Sequence, residues 1–255
     1  MILRNQYLVD IALTGKRLDE RKADEFRKII IEKSPLEKPE GSALVKIGTT
    51  QVMAGVKLDV KEPFPDAQNE GILMVGAELS PLASPEFERG PPTEDAIELA
   101  RVVDRTIRES HAIDLEKLCI TEGEKVWMVN VDLHILDNGG NLVDASCLAA
   151  TAALMNAKLP KYEDGKVVWG EKTNKKVPLV CKPLTVTHVK IGQNLFADPT
   201  EDEESVATAK VMIGTKDDGN ICAMQKGGGD GFTFQELEKI FEKSVELGKQ
   251  LRKQL

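Results

Sequence analysis

Residues 126–136 leave the chain little choice of local structure. Val129, Val131, Leu133 and Ile135 alternate with Asn130, Asp132 and His134, and a period of two puts the first set on one face of a β-strand and the second on the other. The strand stops at Asp137-Asn138-Gly139-Gly140, a strong turn. Behind it, Asp144–Met155 is crowded with small side chains. Such a helix is built to lie close against a neighbour, here a sheet. A half-buried strand, a tight turn and a close-packed helix call for layers around a common core.

The remaining segments extend this theme. Asn5–Leu13 reads as a mildly amphipathic helix stopped by Gly15, and Ala23–Lys33 as a second, with Phe26, Ile29 and Ile30 at helical spacing. Strands are expected at Ser42–Ile47, Gln51–Val60 and Ile72–Leu79, before a loop from Ser80 to Pro92. Thr93 is a good N-cap, followed by acids, for a helix running to about His111. Lys158–Val177 is polar and reads as a linker or long hairpin. Beyond it come strands at Leu184–Ile191 and Asn194–Phe196, then a hairpin of Ala207–Gly214 and Asn220–Gln225 around Asp217-Asp218-Gly219. A terminal helix, Phe232–Leu251, presents Phe234, Leu237, Phe241 and Val245 as its expected buried stripe. The order predicts an α+β fold of duplicated β/α units, with helices packed on mixed sheets and domains at 1–170 and 171–255.

At 255 residues the chain is long enough to bury a sizeable core without staples. Cys119, Cys147, Cys181 and Cys222 form no Cys-x-x-Cys pair, which predicts free thiols in a reducing cytosol, with no zinc and no other cofactor. No apolar run approaches a membrane span, and the start MILRNQYLVD lacks the pattern of a secretory signal, so a soluble, cytoplasmic protein is expected. A net charge of -8 makes it a poor free-standing nucleic-acid binder. Contact with nucleic acid then needs a local basic patch, completed by another chain.

One such patch exists. Arg101, Arg105 and Arg108 fall within about 60° of one another on their helix. They form either a solvated face paired with Asp104 and Glu98, or an anion site whose guanidinium forks match successive phosphates, with Arg89 in the preceding loop adding to it. The cluster Asp198-Pro-Thr-Glu-Asp-Glu-Glu204 has the carboxylates for a cation or a general acid, but Thr-Glu-Asp-Glu-Glu is also what a helix start needs. Lys226–Gly231 satisfies neither nucleotide-binding glycine pattern and reads as a connection. Ser146 sits in no nucleophile elbow, and Asp132 with His134 has no third partner.

The ordered motifs Arg17-Leu-Asp-Glu-Arg21, Gly41–Ile47 with Gly48-Thr49-Thr50, Leu79-Ser-Pro-Leu-Ala83, Arg89-Gly90-Pro-Pro, Val131–Asn141, Ala149–Leu154 and Leu195–Thr200 with Glu203-Glu204 span nearly the whole chain. Their succession resembles the ribonuclease PH family, and more narrowly its non-catalytic branch in the archaeal exosome core. Active members of that family resemble one another in a loop of type Asp-Gly-Gly-Thr-Arg, which grips the phosphate nucleophile, and in two aspartates six residues apart. Here the loop runs Asp137–Asp144, longer and without arginine, and a phosphate there meets Asp144. Asp198 matches the first aspartate, but Glu204 stands at the second place.

The resemblance implies a ribonuclease PH-like fold and a subunit with no catalytic residues or metal of its own. It implies a hexameric ring of three such chains alternating with three catalytic partners, RNA-binding cap subunits on one face, and 3′-to-5′ phosphorolysis of single-stranded RNA to nucleoside diphosphates. Arg101 and Arg105, with Arg108 and Arg89 behind them, are then expected to hold RNA backbone phosphates. An independently active phosphorolytic exoribonuclease using Asp198 and Glu204 is the alternative.

Overall fold

The computed structural model describes residues 2–163 and 165–255. Helix α1 (Ile2–Leu13) precedes strands β1 (Ile29–Lys33), β2 (Gly41–Ile47), β3 (Thr50–Lys61) and β4 (Ile72–Leu79). Helix α2 (Glu94–Glu109) then leads to β5 (Cys119–Thr121), β6 (Lys125–Asp137) and α3 (Leu142–Asn156). The first sheet has the order β1-β2-β3-β6-β4, with β5 pairing β6. All its pairings are antiparallel except β4 with β6, which are parallel and therefore joined by a crossover through α2.

A hairpin of β7 (Lys158–Glu163) and β8 (Lys166–Lys176) forms its own two-stranded sheet. The second half contributes β9 (Leu184–Ile191), β10 (Asn194–Ala197), α4 (Glu201–Val206), β11 (Ala209–Thr215), β12 (Ile221–Gly228) and α5 (Phe234–Arg252). Its sheet, ordered β10-β9-β11-β12, is antiparallel throughout. The architecture is the expected α+β arrangement of helices packed on sheets, with the first sheet mixed and the second antiparallel.

Helix α3 is the keystone of the packing. It touches β2 and β3 on one side and β9 on the other, and every residue from Asp144 to Leu154 is buried. Its alanines permit this approach. A side chain added at Gly41 of β2 would meet the Ala153 carbonyl oxygen at 2.4 Å. Strand β9 lies between α3 and α5, which explains why almost all of Leu184–Ile191 is buried without alternation.

Two expectations need correction. Ala23–Lys33 is not a helix: it runs as an irregular segment into β1. The Ala23 carbonyl accepts from the Ala197 amide, and the Arg27 amide donates to Asp198, so this backbone is tied to the second half of the chain. Phe26, Ile29 and Ile31 pack on the core from that extended path. The stripe of α5 also lies elsewhere. Phe234 is 82% exposed, and the buried face is Ile240, Ser244, Leu247, Gly248 and Leu251. Leu237, Phe241 and Val245 of the expected stripe are half-buried, Phe241 packing against Val211, Ile213 and Ile240, and small Ser244 and Gly248 let the buried face sit close to the sheet. Among the described residues no helix is long and apolar enough to cross a membrane.

Candidate functional site

The turn between β6 and α3 is bolted to the second half of the chain. Asn141 takes a left-handed conformation (φ 56°), and a side chain added at Gly140 would lie 2.3 Å from the Glu201 amide. Arg27 donates from Nη1 to the Gly139 carbonyl (2.6 Å) and from Nη2 to that of Gly140 (3.2 Å). The same side chain grips Asp198 through Nε (2.9 Å) and Nη2 (2.7 Å), and its backbone amide adds a third bond (2.8 Å). Arg21 Nη1 and Asn141 Nδ2 also donate to the Asp198 carboxylate. Burial pushes that carboxyl up, but the Arg27 guanidinium outweighs it and holds Asp198 below the usual range.

Arg17, itself buried, forms a fork onto Glu203 (2.8 and 2.5 Å) and donates to the carbonyls of Ala197 and Asp198. Glu203 in turn completes a capping box with Thr200 at the start of α4. The acidic cluster is therefore a capped helix start, in which Asp198 and Glu203 are held by arginines. Asp144 is fully enclosed, accepting from Asn141 Nδ2 and from the amide and hydroxyl of Thr187, and burial raises its carboxyl. Burial also raises Glu204, against the pull of Lys210 at 3.8 Å.

This geometry bears directly on chemistry. A metal-holding or proton-transferring carboxylate needs free lone pairs facing the reactant. Those of Asp198 are already met by two arginines and an asparagine. At the α3 end of the turn, apolar Leu142 and Val143 line a cleft of ≈ 250 Å³ shared with Glu98, Glu204, Lys210 and Gln225. That cleft, floored by Leu99, Val102 and Met212, lies between α2, the start of α3 and the second sheet.

The candidate arginines Arg101, Arg105 and Arg108 stand on α2 and differ in their engagement. Arg101 is exposed and makes no hydrogen bond or ion pair among the described residues. Arg105 donates from Nη1 to Gln225 Oε1 on β12 (3.0 Å). Arg108 is spent on Asp104 one turn back (2.7 and 3.0 Å) and on the Leu73 carbonyl. Arg89 is exposed in the loop ahead of α2.

The other sequence candidates lie apart from this turn or are enclosed in the core. Ser146 is wholly buried in α3. His134 lies on an exposed sheet face, 3.1 Å from Glu78. The four cysteines are free, and burial pushes the Cys147 thiol to about 12 and Cys222 to about 11, so neither is a ready nucleophile. Arg17, Arg21 and Arg27 escaped the reading of individual residues as a site, because their partners lie some 170 to 190 positions away. The closeness of Arg17, Asp19 and Arg21 was the only local signal.

Comparison with known proteins fits this arrangement. The 3′ exoribonuclease family matches twice, through its domain 1 at residues 25–160 and its domain 2 at residues 181–246. The chain belongs to that family. Within it, the chain is 47% identical over 252 residues to the exosome complex component Rrp42 of Methanosarcina mazei, covering 98% of this chain and 92% of that one. To Rrp42 of Methanocella arvoryzae it is 49% identical over 253 residues, covering 99% and 95%. A chain of the Archaeoglobus fulgidus exosome with RNA bound to the active site superposes with a TM-score of 0.92 at 46% identity, over 98% of this chain and 97% of that chain. An archaeal exosome core gives 0.88 at 44% identity, over 98% and 95%.

Proposed function

We propose that this chain is a non-catalytic, RNA-binding subunit of an exosome ring that supports 3′-to-5′ phosphorolysis by a catalytic ribonuclease PH-like partner. The observation that carries this reading is the state of Asp198. The carboxylate at the place of a catalytic aspartate is consumed by Arg27, Arg21 and Asn141, and the adjoining loop Asp137–Asp144 carries no arginine of its own to grip an anion. Full-length likeness to exosome components supports the assembly. In it, three such chains alternate with three catalytic chains, and cap subunits recruit single-stranded RNA. Arg101 and Arg105 hold backbone phosphates along the strand's path, with Arg89 beside them and Arg108 contributing least.

Two measurements test this. The purified chain with RNA, phosphate and magnesium is expected to release no nucleoside diphosphate, whereas mixing it with the catalytic homologue yields a six-subunit mass and activity. Release by the chain alone would instead establish Asp198 and Glu204 as an independent active pair. In the assembled ring, Arg101→Ala with Arg105→Ala is expected to weaken RNA binding for every sequence and flatten the dependence of log K on log salt by about 0.7 per lost contact. Unchanged affinity and slope would leave a scaffold without RNA contacts.

A further inference from the structure

The arginines of α2 are not equally available to a phosphate, and the difference lies in what each already touches. Arg108 faces a carboxylate, so its charge is largely cancelled within the chain. Arg105 faces a carboxamide. The Gln225 Oε1 atom accepts from Arg105 Nη1 at 3.0 Å, while Gln225 Nε2 donates to Glu98 Oε1 at 3.3 Å. Arg105 and Glu98 lie seven residues apart, and Gln225 reaches across from β12 to bridge them.

A neutral acceptor fixes the direction of a guanidinium while leaving its net charge intact, which a carboxylate does not. The opposite end of the same amide engages Glu98, the residue three before Arg101. A helix places such residues side by side, where acid and base ordinarily pair. Arg101 has no such bond here, since Glu98 is turned toward Gln225.

We propose that Gln225 is a positioning residue for RNA binding: one carboxamide aims Arg105 and draws Glu98 away from Arg101, keeping two positive charges open to phosphate. This rests on the RNA-binding reading of Arg101 and Arg105. It also makes β12 of the second half a working part of a surface otherwise built by α2 of the first.

The test uses the assembled ring in phosphate-free buffer with a fluorescein-labelled single-stranded oligoadenylate, titrated at several salt concentrations. Gln225→Glu is expected to weaken binding about five- to tenfold and to lower the salt slope by about 0.7, as for one lost phosphate contact. Gln225→Leu, which adds no charge, is expected to weaken binding by less. Adding Arg105→Ala to Gln225→Glu is expected to cost little more, because both remove the same contact. Ring mass and melting temperature serve as controls that separate positioning from stability. If Arg105→Ala weakens binding while both Gln225 variants bind as the unaltered ring does, the positioning role is overturned and the RNA-binding reading survives. If Arg105→Ala itself changes nothing, the reading fails and the positioning role with it.

Discussion

At the scale of single residues, the molecule uses charge in two opposite ways. Arg17, Arg21 and Arg27 are enclosed and saturated, while Arg101 stands open to solvent. Nothing in the composition distinguishes them; only the partners do, and those of the enclosed set come from the far end of the chain. His188 adds a pH dependence. It sits on β9, on the same face as Lys190, whose ammonium meets Glu236 of α5, so it lies beneath that helix with both ring nitrogens unpartnered. Burial lowers it to about 4, against the pull of Asp24, which is itself paired with Lys243. The unfolded chain therefore binds the extra proton first. Stability is full above pH 6.5 and is lost as pH falls toward 4, by up to about 3 kcal/mol. Urea unfolding at pH 7 and pH 4.5 is expected to show this loss in the unaltered protein and a smaller one in His188→Leu; equal losses would assign the effect elsewhere.

At the scale of elements, legibility followed local periodicity. Strand β6, the N-cap of α2 and the small-residue helix α3 were readable because alternation, capping and side-chain size act within a few residues. The segment Ala23–Lys33 was not, since backbone bonds to Ala197 and Asp198 override its helical spacing. The buried face of α5 was missed for a related reason: close approach selects Ser244 and Gly248 over larger apolar residues, which hydrophobicity alone ranks higher. The same demand for closeness governs β2 against α3. Gly41→Ala would drive a methyl group to 2.4 Å from the Ala153 carbonyl oxygen. Its expected cost is about 1–3 kcal/mol, with Gly41→Val costing more, read as a fall in the midpoint of denaturant unfolding. An unchanged midpoint would mean that α3 can shift freely against the sheet.

At the scale of the whole molecule, the succession of strands and helices was visible in the sequence, but the joint between the halves was not. Helix α3 packs against both large sheets, and the segment carrying Arg17, Arg21 and Arg27 ties the β6–α3 turn to the start of α4. Removing one member of such an enclosed pair leaves the other charge stranded. Calorimetry of the isolated chain is accordingly expected to show one unfolding peak; two separated peaks would show that the halves melt independently. The clasp at Arg27 has a further consequence. Its fork holds two carbonyls of one half and a carboxylate of the other at once, so neither sheet has slack to swing toward a passing strand. On the RNA-binding reading proposed above, the chain would serve an advancing RNA as a fixed rail, and the strand would have to fit the spacing of its charges.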